Sequence, residues 1–386
     1  LLIRRQVRTL PVLAIHRGEK FVIRRGARVD GGKDRDSQFT ARAVAAMSDS
    51  AVESPPKVRM TRAEFRGTAY LAGVSGLRML GLFIVLPVLA LYAASLPGGG
   101  DPAMIGFAIG AYGLAQAVLQ IPFGWASDRV GRKPAIAFGL VVFAAGSFVA
   151  AWAPDIVWLA AGRTLQGAGA VSAAVMALAA DLTRDEVRTR AMAMIGITIG
   201  ATFAVSLVAG PVLGSTIGVP GIFVLTGILA VVAIVVVQFG VPDPVAGARG
   251  HGGAGERVAL RRVLADPQLL RLDFGIFTLH AILMALFVQV PFALRDAGIA
   301  PSRHWMVYLP VLVVSVGVVL PLFRSVDRPG RGKAVLTGAI AALVASLLIL
   351  AAAGSSLAAI VAGLAVFFCA FNLLEASLPS MVSRFA

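Results

Sequence analysis

Charged residues, cysteine and histidine are all scarce in this sequence of 386 residues. Only 14% of the residues are charged and 58% are hydrophobic, whereas about a quarter of a soluble domain is charged, so a soluble globular protein is excluded. The single cysteine, Cys369, lies inside an apolar run, which excludes a disulfide within the chain and a cysteine-based metal site. The four histidines are scattered without metal-ligand spacing. We therefore expect neither a metal site nor a cofactor.

Long apolar runs fill most of the chain from residue 70 onward. Hydrocarbon cannot hydrogen-bond the backbone, so apolar runs of this length cross a membrane as helices. We therefore predict an all-α integral membrane protein with ten spans. They lie at about 70–94, 104–123, 134–152, 156–180, 191–213, 221–240, 272–294, 304–323, 334–353 and 357–378.

The net charge of +15 is distributed unevenly between the predicted loops. Counting lysines and arginines after residue 53 gives 20 in the segments assigned to one side and only Arg295 and Arg303 on the other. This asymmetry follows the positive-inside rule and predicts that both termini are cytosolic. The positive net charge is explained by the membrane topology and by attraction to lipid. We therefore expect no nucleic-acid partner.

Residues 1–66 form a basic segment unlike the remainder of the chain. Eleven cations occur by residue 42, and no apolar stretch is long enough for a signal peptide. We expect this segment to be disordered or not native, in which case Met47 or Met60 is a natural initiator. The alternative is a disordered basic tail that binds the anionic leaflet.

Two half-repeats are separated by a change in composition. Residues 67–240 are predicted to form a six-helix bundle, and residues 272–386 a partial second bundle of spans 7–10. Between them, residues 241–271 contain prolines, glycines and a short basic amphipathic helix at 256–264, which is typical of a cytosolic linker. The segment 327–333 also repeats the charged, glycine-containing pattern of 124–133. Parallel repeats of this kind indicate a two-bundle transporter with its substrate between the halves.

A dense group of charges lies between spans 2 and 3, in the stretch 124–133. We interpret it as the tight turn joining the two spans, in which a glycine allows reversal and the cations stay on the positive side. This stretch resembles the loop 2–3 signature of the major facilitator superfamily of secondary transporters. Its signature residues are Gly124, Asp128, Arg129, Gly131, Arg132 and Lys133.

The resemblance implies a conformational latch and a larger chain. An acid at Asp181 is expected to pair with Arg132, and Asp128 to meet the start of span 11. Family members have six helices in each half. We therefore expect this sequence to be a fragment with spans 1–10 of 12; an unusual ten-helix variant is the alternative.

Two further stretches resemble family motifs of proton-coupled exporters. The segment 163–169 resembles the span 4 motif in which an arginine, here Arg163, is implicated in proton transfer. In span 5, Gly210, Pro211 and Gly214 resemble the motif associated with antiporters, although Ser215 stands where the family usually has a second glycine.

Ionisable side chains within spans are candidates for proton coupling, because a charge in the membrane usually faces a cavity or a partner. These candidates are Arg78, Arg163, His280 and Glu375, with Arg163 expected to tune a carboxylate. Polar side chains in spans can line a substrate cavity or join helices. We expect Tyr112, Gln116, Gln120, Gln166 and Asn372 to line the cavity.

The segments 77–87, 271–280 and 371–383 are similar to YajR-type transporters, a subgroup of proton-driven drug exporters of bacterial inner membranes. The resemblance implies a monomer that exchanges protons for small amphipathic compounds by alternating access. The main alternative is a proton-coupled symporter that imports a nutrient or metabolite. A membrane enzyme, for which the sequence shows no catalytic cluster, and a non-transporting scaffold are weaker alternatives.

Overall fold

The computed structural model describes residues 59–243, 265–326 and 331–385, which lie in one compact unit of the chain. Within these ranges the regular structure is helical and no strand occurs. The predicted basic segment before residue 59, the amphipathic helix at 256–264 and residues 327–330 of the repeated motif lie outside the described residues.

Eight helices form the first bundle. The first begins with a capping box, in which the Thr61 hydroxyl accepts from the Glu64 backbone N–H and the Glu64 carboxylate accepts from the Thr61 N–H. It is interrupted before Pro87, whose ring nitrogen cannot donate a helical hydrogen bond. The helices are α1 Arg62–Phe83, α2 Leu86–Ser95, α3 Pro102–Val130, α4 Arg132–Ala151, α5 Ile156–Ala168, α6 Ser172–Asp181, α7 Asp185–Thr216 and α8 Gly218–Val235, the last extended by a π-helical turn, Val236–Gly240.

Four helices form the described part of the second bundle. Asp266 caps the first of them, since its carboxylate accepts from the backbone N–H groups of Gln268 and Leu269. The helices are α9 Pro267–Asp296, α10 Trp305–Val326, α11 Gly332–Ala352 and α12 Leu357–Phe385, with a short 3-10 helix, Pro301–Arg303, before α10. The two bundles begin at Arg62 and Pro267, slightly before the predicted 67 and 272.

Nine helices in the described residues are long and apolar enough to cross a membrane, counting α1 and α2 together. The fourth predicted span, 156–180, is not one continuous helix in the structure. It divides into α5 and α6, which are separated by the three residues 169–171. Glycines at 167 and 169 weaken the helix there, because glycine costs about 1 kcal/mol relative to alanine in a helix.

The stretch 124–133 was expected to be a turn, yet the structure makes almost all of it helical. Helix α3 continues through Val130 and α4 begins at Arg132, so Gly131 alone separates them. Gly131 has a φ of 107°, a conformation that favours glycine. The charges therefore lie on two helix ends, where their positions are fixed by the helices.

The bundle has two ends that differ in charge and in packing. We call the end with residues 124–133, 181–185 and 240–243 the basic end, and the end with residues 96–101, 297–304 and 353–356 the opposite end. Toward the opposite end, both bundles contribute to one apolar core, where Leu89 and Phe223 share a cluster with Phe287. A second core lies near the basic end. Within the part of the chain that the structure describes, its buried residues all belong to the first bundle and lie between Leu71 and Val241 in sequence. The halves are therefore closed together at the opposite end.

Candidate functional site

The charged residues at the junction of α3 and α4 form an ion-pair group within the first bundle. Arg132 lies between two carboxylates: it contacts Asp128 one turn earlier, and its Nε lies 3.2 Å from Asp181 Oδ2 at the end of α6. Its Nη1 also donates to the Ser127 hydroxyl at 2.7 Å. The structure therefore brings together all three predicted latch residues and ties α3, α4 and α6 at the basic end.

The other two cations of the signature have separate partners. The Arg129 guanidinium lies 3.8 Å from the centroid of the Trp125 ring, one turn earlier on α3. Lys133 Nζ lies 2.8 Å from Asp243, whose side chain is 84% exposed. Because one partner of this pair is exposed to solvent screening, we expect it to stabilise by about 1 kcal/mol or less. These contacts contribute little to stability beside the Arg132 group.

A second ionic contact at the basic end was not predicted. Glu64 is buried at the start of α1, and it accepts from Arg184 Nε at 2.8 Å and from the Arg184 backbone N–H at 3.2 Å. The hydrogen bond to Glu64 raises the pKa of the Arg184 guanidinium. This pair joins the start of the first span to the turn between α6 and α7. Only the capping-box spacing of Thr61 and Glu64 in the sequence could have indicated it.

Arg78 lies near the middle of the first span and is 2% exposed. Its Nη2 donates to the Tyr112 hydroxyl at 2.8 Å and to Gln116 Oε1 at 2.7 Å, and its Nη1 donates to the Ser172 hydroxyl at 2.9 Å. The predicted cavity residues Tyr112 and Gln116 thus accept hydrogen bonds from a buried arginine. The network connects α1, α3 and the first residue of α6.

Arg163 is also buried, at 1% exposure, and has a different set of contacts. Its Nη1 donates to Gln166 Oε1 at 2.8 Å, and Gln166 in turn donates to the Ser147 hydroxyl on α4. The guanidinium also lies 4.9 Å from the centroid of the Tyr112 ring. Gln166 is fully buried in this network, so the structure places it inside the bundle instead of on a cavity wall.

Neither buried arginine has a carboxylate within ion-pair distance in the described part of the chain. The expected tuning of a carboxylate by Arg163 is therefore not seen, since its partners are an amide and an aromatic ring. Insertion of an arginine at the centre of a membrane helix costs about 3 kcal/mol. Two such residues beside one tyrosine, Tyr112, concentrate positive charge in the first bundle.

In the second bundle, His280 on α9 faces Glu375 on α12. His280 Nε2 lies 3.6 Å from Glu375 Oε2, and their side chains are 46% and 41% exposed. His280 Nδ1 lies 2.9 Å from the carbonyl oxygen of Ile276, which requires a proton on Nδ1. In a neutral imidazole Nε2 is then a bare acceptor facing a carboxylate. A proton shared between Nε2 and Glu375 removes that repulsion.

Asn372 lies one turn before Glu375 and is half-buried. Its amide donates to the Ser315 hydroxyl on α10 at 2.9 Å. Asn372 therefore joins two helices of the second bundle, three residues before Glu375 in sequence. Gln120 on α3 has a buried Oε1 without a hydrogen-bond partner.

The span 5 residues of the antiporter motif pack against the break between α1 and α2. A Cβ atom at Gly210 would lie 2.4 Å from the Ile84 carbonyl oxygen, so only glycine permits this approach. Pro211 is buried within α7, and Gly214 lies against Val88. These residues set the contact between spans 1 and 5 toward the opposite end.

An aromatic junction connects the bundles. Phe203 on α7 contacts Phe83 at 5.1 Å between ring centroids, and it contacts Phe287 on α9 at 6.2 Å and Phe368 on α12 at 6.5 Å. We call these four residues the aromatic junction. The sequence does not distinguish these four residues, because each phenylalanine lies within a run of other apolar residues.

The five predicted cavity residues line neither of two cavities formed by the described residues. One, of about 480 Å³, lies between α1, α7 and the end of α8 and includes Tyr70, Leu80 and Thr202 in its walls. The other is a small apolar space inside the second bundle, next to Phe287 and Tyr308. Arg78, Tyr112 and Gln166 are buried between helices, whereas Gln116 and Gln120 are only partly buried.

A family model described as Major Facilitator Superfamily matches residues 71–386. The chain belongs to the major facilitator superfamily. The predicted all-helical two-bundle membrane fold is therefore confirmed, and a complete fold of this superfamily has twelve spans. The chain is a multi-pass membrane protein of a transporter family.

Relatives within the superfamily support this assignment. The chain is 44% identical over 326 residues to the inner membrane transport protein YajR of Escherichia coli, covering 84% of this chain and 72% of YajR. It is 28% identical over 242 residues to a class G tetracycline resistance protein of Vibrio anguillarum, covering 61% of this chain and 57% of that protein. A solved bacterial homologue of the human lysosomal transporter Spinster, in an inward-facing and occupied conformation, aligns with a TM-score of 0.65 at 15% identity, covering 83% of this chain and 74% of that one.

Proposed function

We propose that this major facilitator protein is a proton-coupled antiporter that exports small amphipathic compounds. The observation that carries the proposal is the His280–Glu375 pair, in which a carboxylate faces a ring nitrogen that has no proton in the neutral tautomer. A proton between the two groups would turn two facing acceptors into a donor and an acceptor, and the partly exposed side chains leave a route for the proton to arrive and depart.

The pair also links proton binding to helix position. His280 is on α9 and Glu375 is on α12, so loss of the shared proton places two acceptors against each other and favours separation of these helices. Binding of a proton draws them together. Proton entry in one state and release in the other is thereby coupled to rearrangement of the second bundle.

Export is the direction supported by the span 5 motif and by one relative. Gly210 and Pro211 match the antiporter motif and pack against span 1. One of the relatives is named as a tetracycline resistance protein. We further propose that the protein acts as a monomer in the bacterial inner membrane with both termini in the cytosol, so that the basic end faces the cytosol.

With the basic end in the cytosol, we interpret the structure as an inward-facing state. Apolar core residues of both bundles close the opposite end, whereas the core near the basic end contains residues of the first bundle only in the described ranges. An exporter in this state would accept its substrate from the cytosol. Opening of the aromatic junction would then release the substrate on the other side.

The test is proton movement in inverted membrane vesicles when a panel of amphipathic drugs is added. Glu375→Gln keeps the side-chain size but removes the proton-binding carboxylate, and we expect it to abolish drug-induced proton release. Glu186→Gln is the matched control, because Glu186 is exposed at the start of α7 and should leave proton release unchanged.

Three results would contradict the antiport proposal. Proton release that persists in Glu375→Gln removes the pair from the coupling step. Failure of every compound to release protons from wild-type vesicles removes proton-coupled export. Uptake of a nutrient together with protons in intact cells would establish the symporter alternative.

A further inference from the structure

The two buried arginines of the first bundle leave positive charge without a countercharge. Arg78 and Arg163 are 2% and 1% exposed, and neither has a carboxylate partner in the described ranges. Both approach the same side chain: Arg78 donates to the Tyr112 hydroxyl, and Arg163 lies against the Tyr112 ring. Ionisable residues within the membrane normally pair with an opposite charge or line a pathway.

A helix N-terminus adds to this positive region. The break in span 4 starts α6 at Ser172, deep within the bundle, where Val171 and Ala174 are buried. Val171, the N-cap residue, makes no side-chain hydrogen bond to the first turn. The N-terminus of a helix carries a partial positive charge, and broken helices in transporters direct such ends at anionic groups of the substrate.

The Arg78 side chain brings its guanidinium group to the same helix N-terminus. Its Nη1 donates to the Ser172 hydroxyl at 2.9 Å, which places the guanidinium beside the first residue of α6. Its Nε is buried and has no hydrogen-bond partner. The Tyr112 hydroxyl accepts from Arg78, so its own proton remains available to another acceptor. An anion at this point would receive donors from an arginine, a tyrosine and a helix N-terminus.

Polar residues lead from the basic end to this point. Tyr112, Gln116 and Gln120 are spaced four residues apart, so they follow one face of α3 toward the basic end. Gln116 accepts from Arg78, and Gln120 Oε1 has no partner. This face offers hydrogen bonds to a polar group that moves along α3.

We propose that the exported compound carries an anionic group, a carboxylate, sulfonate or phosphate, which binds Arg78 at the N-terminus of α6. The inference rests on the proposed export function and names its substrate class. Arg163 strengthens the positive potential from the far side of the Tyr112 ring. The position near the middle of the helix Arg62–Ser95 separates the site from the headgroup layers of the bilayer.

Equilibrium binding to the purified full chain in nanodiscs tests the proposal without requiring transport. The probes are radiolabelled 1-naphthylacetate, its uncharged amide and the cationic 2-(1-naphthyl)ethylammonium, which share the same ring. We expect the carboxylate to bind about tenfold more tightly than the amide, and the cation to bind most weakly. Arg78→Gln should remove the preference for the carboxylate, and Arg78→Lys should retain part of it.

Arg66→Gln is the control for loss of charge, since Arg66 is exposed on the same helix and should leave the ranking unchanged. Equal binding of all three probes, preference for the cation, or no binding of the carboxylate would overturn the proposal. So would an Arg78→Gln variant that remains folded and keeps the wild-type ranking.

A lipid headgroup is the other source of an anionic group. Nanodiscs of phosphatidylcholine alone are therefore compared with nanodiscs that also contain phosphatidylglycerol. Similar carboxylate affinity in both supports a substrate site, whereas strong competition by phosphatidylglycerol assigns the site to lipid and overturns the proposal. The vesicle assay of proton release does not depend on these binding measurements. Failure of the export proposal can therefore be distinguished from failure of the anion-site proposal.

Discussion

Phe203→Ala should shift the protein from the closed toward the open state of the opposite end. Phe203 is the centre of the aromatic junction, with one ring contact to Phe83 in its own bundle and two contacts to Phe287 and Phe368 in the other. The contacts between bundles exist only while the opposite end is closed. Their loss therefore acts on the conformational equilibrium and not only on overall stability.

The size of the shift follows from the two contacts between bundles. Aromatic pairs at these distances contribute about 0.5–1.5 kcal/mol each beyond the area that they bury. Removal of both therefore disfavours the closed state by about 1–3 kcal/mol, which corresponds to a change of about 5- to 150-fold in the equilibrium. The contact to Phe83 adds nothing to the shift, because it lies within the first bundle in both states.

Distances between spin labels measure this equilibrium directly. Labels at Gly100 and Ser355 lie in exposed turns of the opposite end, one in each bundle. The native Cys369 is replaced by serine so that labelling is specific. We expect a single short distance in the parent protein and a second, longer distance in Phe203→Ala.

A matched control separates the junction from a general effect of losing a phenylalanine ring. Phe107 on α3 is 52% exposed, so Phe107→Ala removes the same ring at a lipid-facing position. The reasoning is refuted if the distance distribution of Phe203→Ala equals that of the parent, or if Phe107→Ala produces the same longer distance.

Two further predictions concern packing inside the first bundle. Gln166→Leu removes the hydrogen-bond acceptor of Arg163, and we expect a destabilisation of about 1–3 kcal/mol, measured by thermal unfolding in detergent. The double variant Arg163→Met with Gln166→Leu removes the buried charge as well and should recover most of that loss; a double variant as unstable as the single one would contradict this account. Gly210→Ala should destabilise by about 1–3 kcal/mol because its Cβ would lie 2.4 Å from the Ile84 carbonyl oxygen. Gly200→Ala on the same helix meets no atom within 4 Å, so equal losses in the two variants would argue against steric overlap.

Most of the fold could be predicted from the sequence because hydropathy alone reports membrane spans. Nine predicted spans appear as long apolar helices, and the charge group at 124–133 identified the junction of spans 2 and 3. The break in span 4 was not predicted because glycines are also common inside continuous membrane helices. The helical conformation of residues 124–130 was not predicted, because the density of charged residues in this stretch indicated a turn.

The candidate site was predicted as individual residues and not as networks. Arg78, Tyr112 and Gln116 were each named, but their hydrogen bonds join spans separated by 34 and 38 residues in sequence and depend on the rotation of each helix. Ser147 and Ser172 were missed because a single serine in an apolar run has no distinctive pattern. Hydropathy and motif spacing determine which residues are unusual, whereas packing determines their partners.

The ionic and aromatic contacts of this structure differ in which bundles they join. The contacts of Arg132 with Asp128 and Asp181 all lie within the first bundle, so they can persist while the bundles move and hold α3, α4 and α6 as one rigid unit. The aromatic junction between the bundles contains no charged side chain, so its opening separates no ion pair. Asp128 remains 33% exposed while it contacts Arg132, which leaves it able to receive a group from the second bundle when the basic end closes. We therefore expect the predicted latch to act between the bundles through Asp128, with Arg132 and Asp181 holding that carboxylate in position.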